Sequence, residues 1–197
     1  MVAKCFKRIL LLLFITGAIQ ANAQEGKKSE LQQWKDSVEN ARLIARQERH
    51  LMDSVVHIKA ENALQRKEFV LESDELTLKH GEHGYVNSTT NFIALHDGKA
   101  TVQISPFQSG GGPNGVGGIT VEGTPTRLKV ETDKKGVTRL SMNVTGNGIS
   151  AQITVTLGPS DNRATATIIP NFNSLNVTLD GQLVPFKESS AFKGTAF

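Results

Sequence analysis

The chain has 197 residues, 22 Lys plus Arg against 19 Asp plus Glu, and a single cysteine, Cys5. Three of the cations, Lys4, Lys7 and Arg8, precede the apolar run Ile9 to Ile15, and Ala21-Asn22-Ala23 follows as a small-x-small site; this is the pattern of a secretory signal cleaved after Ala23. Its removal leaves 174 residues with 19 basic and 19 acidic side chains and no cysteine, which excludes disulfides, thiolate nucleophiles and Cys-based zinc sites and argues against a broad nucleic-acid-binding surface.

Residues 24–68 read as a polar tail and an amphipathic helix. From Ser29 to Lys67 there is no glycine or proline, Ser29 and Gln32 have capping-box spacing, and Leu31, Trp34, Val38, Ala41 and Ala45 recur every three or four residues. Unbroken, the helix would run about 57 Å, longer than a domain of this size is wide. Its second half, with Leu51, Met52, Val55, Val56, Ile58 and Leu64, is expected to dock on the domain. Its first half offers a thin stripe that allows weak self-association, although Lys59 and Asn62 break any coiled-coil seam.

From Phe69 the period changes to two. Phe69–Leu78, Tyr85–Ser88, Asn91–His96 and Lys99–Ser105 read as strands, with Asp97-Gly98 as a hairpin turn. Arg127–Thr132, Leu140–Thr145, Ile149–Leu157 and Ala164–Ile169 follow, joined at Asp133–Gly136, Asn147-Gly148 and Gly158–Arg163. Val177–Leu179 and Gln182–Phe186 read as a last hairpin around Asp180-Gly181. About nine to ten alternating strands with tight turns predict a mainly β domain over 69–197, an antiparallel sandwich or barrel behind the N-terminal helix.

The longest irregular segment lies in the glycine-rich stretch Phe107 to Gly123. Gly110-x-Gly112-x-x-Gly115 matches the dinucleotide fingerprint, but the strand-like Ile119-Thr-Val-Glu122 follows where that chemistry needs a helix, so no nucleotide cofactor is expected. It reads first as a connecting loop whose glycines serve positive φ or close backbone approach; the alternative is a binding loop at the mouth of the β-fold, with Phe107, Gly112, Asn114 and Gly115 as the candidate ligand-binding residues. His80-Gly-Glu-His83, with His96-Asp97 one hairpin away, lacks the helical spacing of a metalloprotease, and no metal is assigned to it. There is no G-x-S-x-G elbow and no pair of carboxylates that the sequence places on one face, so no catalytic residue is assigned.

Several stretches carry a family resemblance. They are Phe69-Val-Leu-Glu72, Tyr85-Val-Asn-Ser88, Gly112-Pro-Asn-Gly-Val-Gly-Gly-Ile-Thr-Val121, Thr132-Asp-Lys-Lys-Gly136, Ser141-Met-Asn-Val144, Gly148-Ile-Ser-Ala-Gln152, Pro170-Asn-Phe-Asn-Ser174, Leu183-Val-Pro-Phe186 and Glu188-Ser189. Over residues 69–197 the chain resembles the secreted bacterial proteins grouped as domain of unknown function 4251. The resemblance implies the envelope of a Gram-negative bacterium and brings no catalytic residue, ligand or partner. In such a host Asp36-Ser37-Val38 and Asp53-Ser54-Val55 resemble O-glycosylation acceptors. The reading is a periplasmic or secreted non-enzymatic binding module, without a membrane span or cofactor, whose partner is an envelope protein, a glycan or a small apolar ligand. A lipocalin-like carrier and, less favoured, an envelope hydrolase stand as alternatives.

Overall fold

The computed structural model describes residues 2–79, 81–105, 118–171 and 176–193, with side chains from Glu30 onward. It divides into two compact units, Met1–His50 and Leu51–Phe197, and helix α1 (Val2–Arg66) contributes to both. In the first unit the helix surface is open. Leu31, Trp34, Leu43 and Ile44 are exposed, Gln32 Nε2 donates to Asp36 Oδ1 (3.0 Å), and the Ser37 hydroxyl donates to Trp34 O (2.7 Å).

The second unit is a closed antiparallel barrel. Its strands are β1 (Phe69–Leu78), β2 (His83–Tyr85), β3 (Phe92–His96), β4 (Lys99–Ile104), β5 (Ile119–Thr132), β6 (Thr138–Gly146), β7 (Ile149–Leu157), β8 (Arg163–Pro170) and β9 (Val177–Pro185). Eight of them form the ring β1-β3-β4-β5-β6-β7-β8-β9, closed by β9 on β1 from Phe69↔Pro185 to Leu78↔Val177. The short β2 is the extra strand, paired to β1 beyond the end of β3. Of the two expected architectures, the sandwich is therefore corrected to a barrel, because β9 pairs along β1 and leaves no second sheet.

Alternation sets inside from outside. Leu140, Met142 and Val144 on β6, and Ala151, Ile153, Val155 and Leu157 on β7, point inward and are buried. Ser141, Asn143, Gln152, Thr154 and Thr156 take the opposite face. Eight strands leave an interior that side chains can fill or that can hold one small ligand.

One end of the barrel is closed by the last turns of α1. The apolar residues that enter the barrel's core there are Ala60, Ala63 and Leu64. Of the residues the sequence put forward for docking, Leu64 is fully buried, whereas Leu51, Met52, Val55 and Ile58 are exposed. Polar contacts fasten it. Glu61 Oε1 accepts from the hydroxyls of Thr132 (3.3 Å) and Thr138 (3.2 Å), and His57 Nδ1 lies 2.9 Å from Asp161 O. The helix ends in a Schellman turn, Glu68 N–H to Ala63 O (3.0 Å) and Lys67 N–H to Leu64 O (3.1 Å), with Lys67 in the left-handed position at φ 62° that glycine usually fills.

Asp180-Gly181 is not a hairpin. It lies within β9, opposite a bulge between Ser73 and Glu75 of β1. A Cβ on Gly181 would meet Glu72 O at 2.0 Å and Ser73 Cα at 2.6 Å, so the glycine serves close backbone approach and not a turn. The expected last two strands are thus one, and among the described residues the strands number nine.

Leu64→Ala is expected to cost about 2–5 kcal/mol, as deletion of a fully buried side chain does. Leu51→Ala, at an exposed position, is expected to stay within about 0.5 kcal/mol. Urea unfolding of the two variants against wild type measures both.

Candidate functional site

The four loop residues singled out from the sequence, Phe107, Gly112, Asn114 and Gly115, lie outside the described residues. The two ends of that loop, Ser105 and Gly118, are at the barrel end opposite the helix. Asn91 anchors the first: Ser105 N–H donates to Asn91 Oδ1 (2.7 Å) and Asn91 Nδ2 donates to Ser105 O (3.3 Å). Strand β5 begins directly after Gly118, as the objection to a nucleotide cradle required.

The site that the described residues do form is on the outer wall of the barrel. Its floor is made by strands β1, β3, β4 and β5, where the cross-strand pairs Val70↔Ala94, Ala94↔Thr101 and Thr101↔Glu122 place one outward residue of each strand side by side. The same wall carries Phe92 and His96 of β3 and Gln103 of β4. Strand β3 is consequently buried on both faces.

The cover is the segment after β9. A 3₁₀ turn (Phe186–Glu188) leads to an extended strap, Ser189–Lys193, laid across the wall. Ser189 Oγ and Ser190 N–H donate to Glu72 Oε1 at 2.7 and 2.6 Å. Ala191 packs on Val70, Phe92 and Ala94. Phe192 N–H donates to Thr89 O (2.7 Å), and Phe192 O accepts from Gln103 Nε2 (2.9 Å). Gln103, outward-facing yet fully buried, also donates to Thr90 O (3.1 Å) and accepts from Thr120 Oγ1 (2.7 Å). A buried primary amide is tolerable only with its donors and acceptor engaged, and the strap supplies one of the partners.

Between strap and wall lies a cleft of about 510 Å³. Its floor is apolar, with Val70, Phe92 and Ala94. One end is formed by His96, whose ring stacks on Phe186 at 3.8 Å and 9°. The other is closed by the Lys193–Glu122 ion pair. Lys193 holds the Glu122 carboxyl below the usual carboxylate range, by a hydrogen bond first and by charge as well, while partial burial opposes this and Thr101 Oγ1 (3.2 Å) assists. Lys99 and Asp97 complete the charged rim.

The hydroxyls here are committed. Ser189 donates to Glu72 and Thr101 to Glu122, and neither hydrogen bond involves a histidine. The histidines of the sequence motif are separated: His83 pairs opposite Thr77 of β1, whereas Leu95, beside His96, pairs opposite Phe69. Eight strand residues put them about 26 Å apart along β1. His83 lies 3.8 Å from Glu75 and 3.1 Å from Thr77 Oγ1, and His80 is outside the described residues. A different trio, Glu68, His96 and Asp97, converges at the cleft's end with one donor atom each within 4.8 Å. Sequence reasoning missed the wall. Its one sign was Phe92-Ile-Ala-Leu95, an unbroken apolar run that belongs to a strand buried on both faces.

The model of the family described as domain of unknown function (DUF4251) matches residues 55–183. The crystal structure of a DUF4251 family protein from Bacteroides eggerthii DSM 20697, at 1.95 Å resolution, is similar, with 44% sequence identity and a TM-score of 0.62, covering 71% of this chain and 94% of that one. No curated protein matches the chain.

Because the carboxyl of Glu122 has its pKa lowered by folding, its contribution to stability is present above the unfolded-state pKa and is lost as pH falls through the folded-state value. Lys193→Ala should therefore destabilise at pH 7, and the difference from wild type should shrink on acidification below that range. Denaturant midpoints of both proteins across pH 2.5 to 7, about the span in which carboxylates titrate, measure it.

Proposed function

The chain belongs to the DUF4251 family, and we propose that it is a non-catalytic binding module of the bacterial cell envelope whose ligand site is the strap-covered cleft on the barrel's outer wall. The observation that carries the reading is the cleft itself. Its volume of about 510 Å³ falls in the range of small-molecule sites, and its apolar floor meets a rim bearing Lys99, Asp97 and His96. Such a lining suits a small, partly apolar ligand with an anionic or hydrogen-bonding head. The committed hydroxyls of Ser189 and Thr101 favour binding over covalent catalysis.

Export to the periplasm is part of the proposal. It is supported by the basic, apolar and small-x-small succession of residues 1–23. The barrel is apolar inside and rich in Thr, Ser, Asn and Gln outside, the reverse of a lipid-facing barrel. Weak self-association through the helix is supported by the exposed Leu31, Trp34 and Ile44.

A second reading, a carrier of an apolar molecule inside the barrel, is favoured by closure of the eight-stranded ring around an apolar interior. The two readings differ in which wall matters. Ala94→Trp fills the outer cleft from its floor, on the face turned away from the barrel interior. The variant is expected to lose binding of the amphiphilic anionic dye anilinonaphthalene sulfonate while keeping the far-UV circular dichroism of the folded barrel. Dye binding that persists unchanged in Ala94→Trp moves the site to the interior. A chain released by osmotic shock whose intact mass begins at Gln24 supports export, and full-length chain confined to the cytoplasm overturns it.

A further inference from the structure

The end of the cleft holds a group of side chains with no role in packing its floor. Glu68 comes from the Schellman turn that stops α1, and its backbone is fixed twice: its N–H bonds to Ala63 O, and its O accepts from Phe186 N–H (3.1 Å). His96 ends β3. Asp97 follows in the hairpin turn, at φ 48° with Gly98 at φ 70°, the pair of positive angles a tight two-residue turn demands. Three separate backbone devices therefore bring one imidazole and two carboxylates together, with a donor atom of each within 4.8 Å.

The ring of His96 is held by its stack on Phe186, so the directions of its two nitrogens are set. Nε2 lies 3.1 Å from Asp97 Oδ2, within ion-pair distance. Nδ1 is buried and has no hydrogen-bond partner. It faces Glu68 Oε1 at 4.0 Å, too far for a hydrogen bond. A buried imidazole nitrogen left unpaired against a carboxylate at that separation is costly unless something bridges the two. Two donors on one zinc-like ion, each at about 2.1 Å, are about 3.4 Å apart at the tetrahedral angle and reach about 4.0 Å when it opens. The observed gap has the size of a bridging cation, and the half-exposed Glu68 side chain can close the remaining few tenths of an ångström.

The other nitrogen completes the pattern. A ligating histidine nearly always donates its second N–H to a carboxylate or carbonyl, which selects the tautomer and orients the ring. The Asp97 carboxylate, 3.1 Å from Nε2, favours a proton on that nitrogen by its charge and leaves Nδ1 as the donor facing Glu68. One imidazole and carboxylate oxygens form a donor set for a first-row divalent cation and a poor one for Mg²⁺ or Ca²⁺, which take oxygen alone.

We propose that Glu68 and His96, with Asp97 as the positioning residue, form a binding site for a divalent transition cation of the Zn²⁺ class at the end of the outer-wall cleft. Lys99, opposite His96 in the β3–β4 register, is the nearby positive charge that weakens it. The site stands independently of any ligand in the cleft.

The probe is ZnCl₂ in isothermal titration calorimetry with the purified protein, followed by metal analysis after dialysis. Wild type is expected to take up one Zn²⁺ per chain. His96→Ala should weaken uptake by at least about 100-fold and Asp97→Asn by about 10-fold, in the range of losses from altered ligand support. Lys99→Gln should tighten it. Glu68→Gln, at a half-exposed position, tests the site without disturbing the Phe186 stack, and far-UV circular dichroism checks that each variant is folded. His83→Ala, at the other His–Glu pair, should leave uptake unchanged. The proposal is overturned if wild type shows no saturable one-to-one uptake, if folded Glu68→Gln and His96→Ala bind as wild type does, or if His83→Ala is the variant that abolishes binding.

Discussion

Everything in the second unit depends on the closure of β9 against β1. These strands lie at opposite ends of the folded sequence, and their pairing runs the full length of β1. Without it the sheet would have two open edges and an apolar face too wide to cover. The closure is not regular. A bulge between Ser73 and Glu75 lets β1 continue from β3 to its pairing with β2, and Ser73, fully buried, donates to Glu75 O (2.7 Å) and Asp180 O (3.0 Å) to satisfy the groups the bulge sets free. Gly181 gives the backbone room to approach there. Beside the bulge, Asp74 takes Arg163 in a bidentate pair (2.9 Å each), which raises the arginine's pKa through hydrogen bonding and charge against partial desolvation. The seam is thus fastened on the outside by ions and on the inside by a serine hydroxyl.

Closure also decides where a site can be. An eight-stranded ring lined by residues such as Leu71, Ile93, Leu140, Ile153 and Leu183, and entered at one end by Ala60, Ala63 and Leu64, directs much of its apolar surface inward. The wall that adjoins the seam is different. There the chain that leaves β9 has nowhere to go but over the outside of β1, β3 and β4. The strap converts an outward face that would be wet into a half-covered apolar floor, and the cleft is what the strap leaves uncovered. The outer-wall site is in this sense a consequence of where the last strand must end.

Legibility in the sequence follows the range of the interactions involved. Ile149–Leu157, with one wet face, declared itself by alternation and matches β7 residue for residue, and Phe69–Leu78, a strand-like run with a polar interruption, matches β1 in the same way. Turns that need positive φ were readable as Asp97-Gly98, Asn147-Gly148 and Gly136. The choice of barrel over sandwich was not, because it rests on one pairing between distant strands, Phe69↔Pro185 to Leu78↔Val177. Asp180-Gly181 misled for a physical reason: glycine is required both by tight turns and by close backbone contact, and the dipeptide does not distinguish them. Helix docking was legible in part: the second half of α1 does dock and hydrophobicity marked Leu64 correctly, but it also marked the exposed Leu51 and Met52 while geometry selected Ala60 and Ala63.

The cleft was the least legible part because its residues come from five segments that only closure assembles. Gln103 shows this best. In sequence it is a polar residue on the wet face of an alternating strand. In the fold it is fully buried, and its amide joins Thr90, Thr120 and Phe192, so that one side chain ties the β3 loop, the sheet and the strap together. Replacing it with an apolar residue would bury the same volume but leave the Phe192 carbonyl without that donor, which is the costlier defect in a covered position. The strap is therefore held by a polar network on the wall beneath it and by a carboxylate at each edge, Glu72 through hydrogen bonds from Ser189 and Ser190 and Glu122 through its ion pair with Lys193. Two carboxylates, on β1 and β5 with β3 and β4 between them, grip a segment whose own sequence, Ser-Ser-Ala-Phe-Lys, has little reason to be ordered alone. A strap held by exposed charges can be lifted at lower cost than a strand, and that difference places adaptability on the outer wall while the barrel beneath it stays fixed.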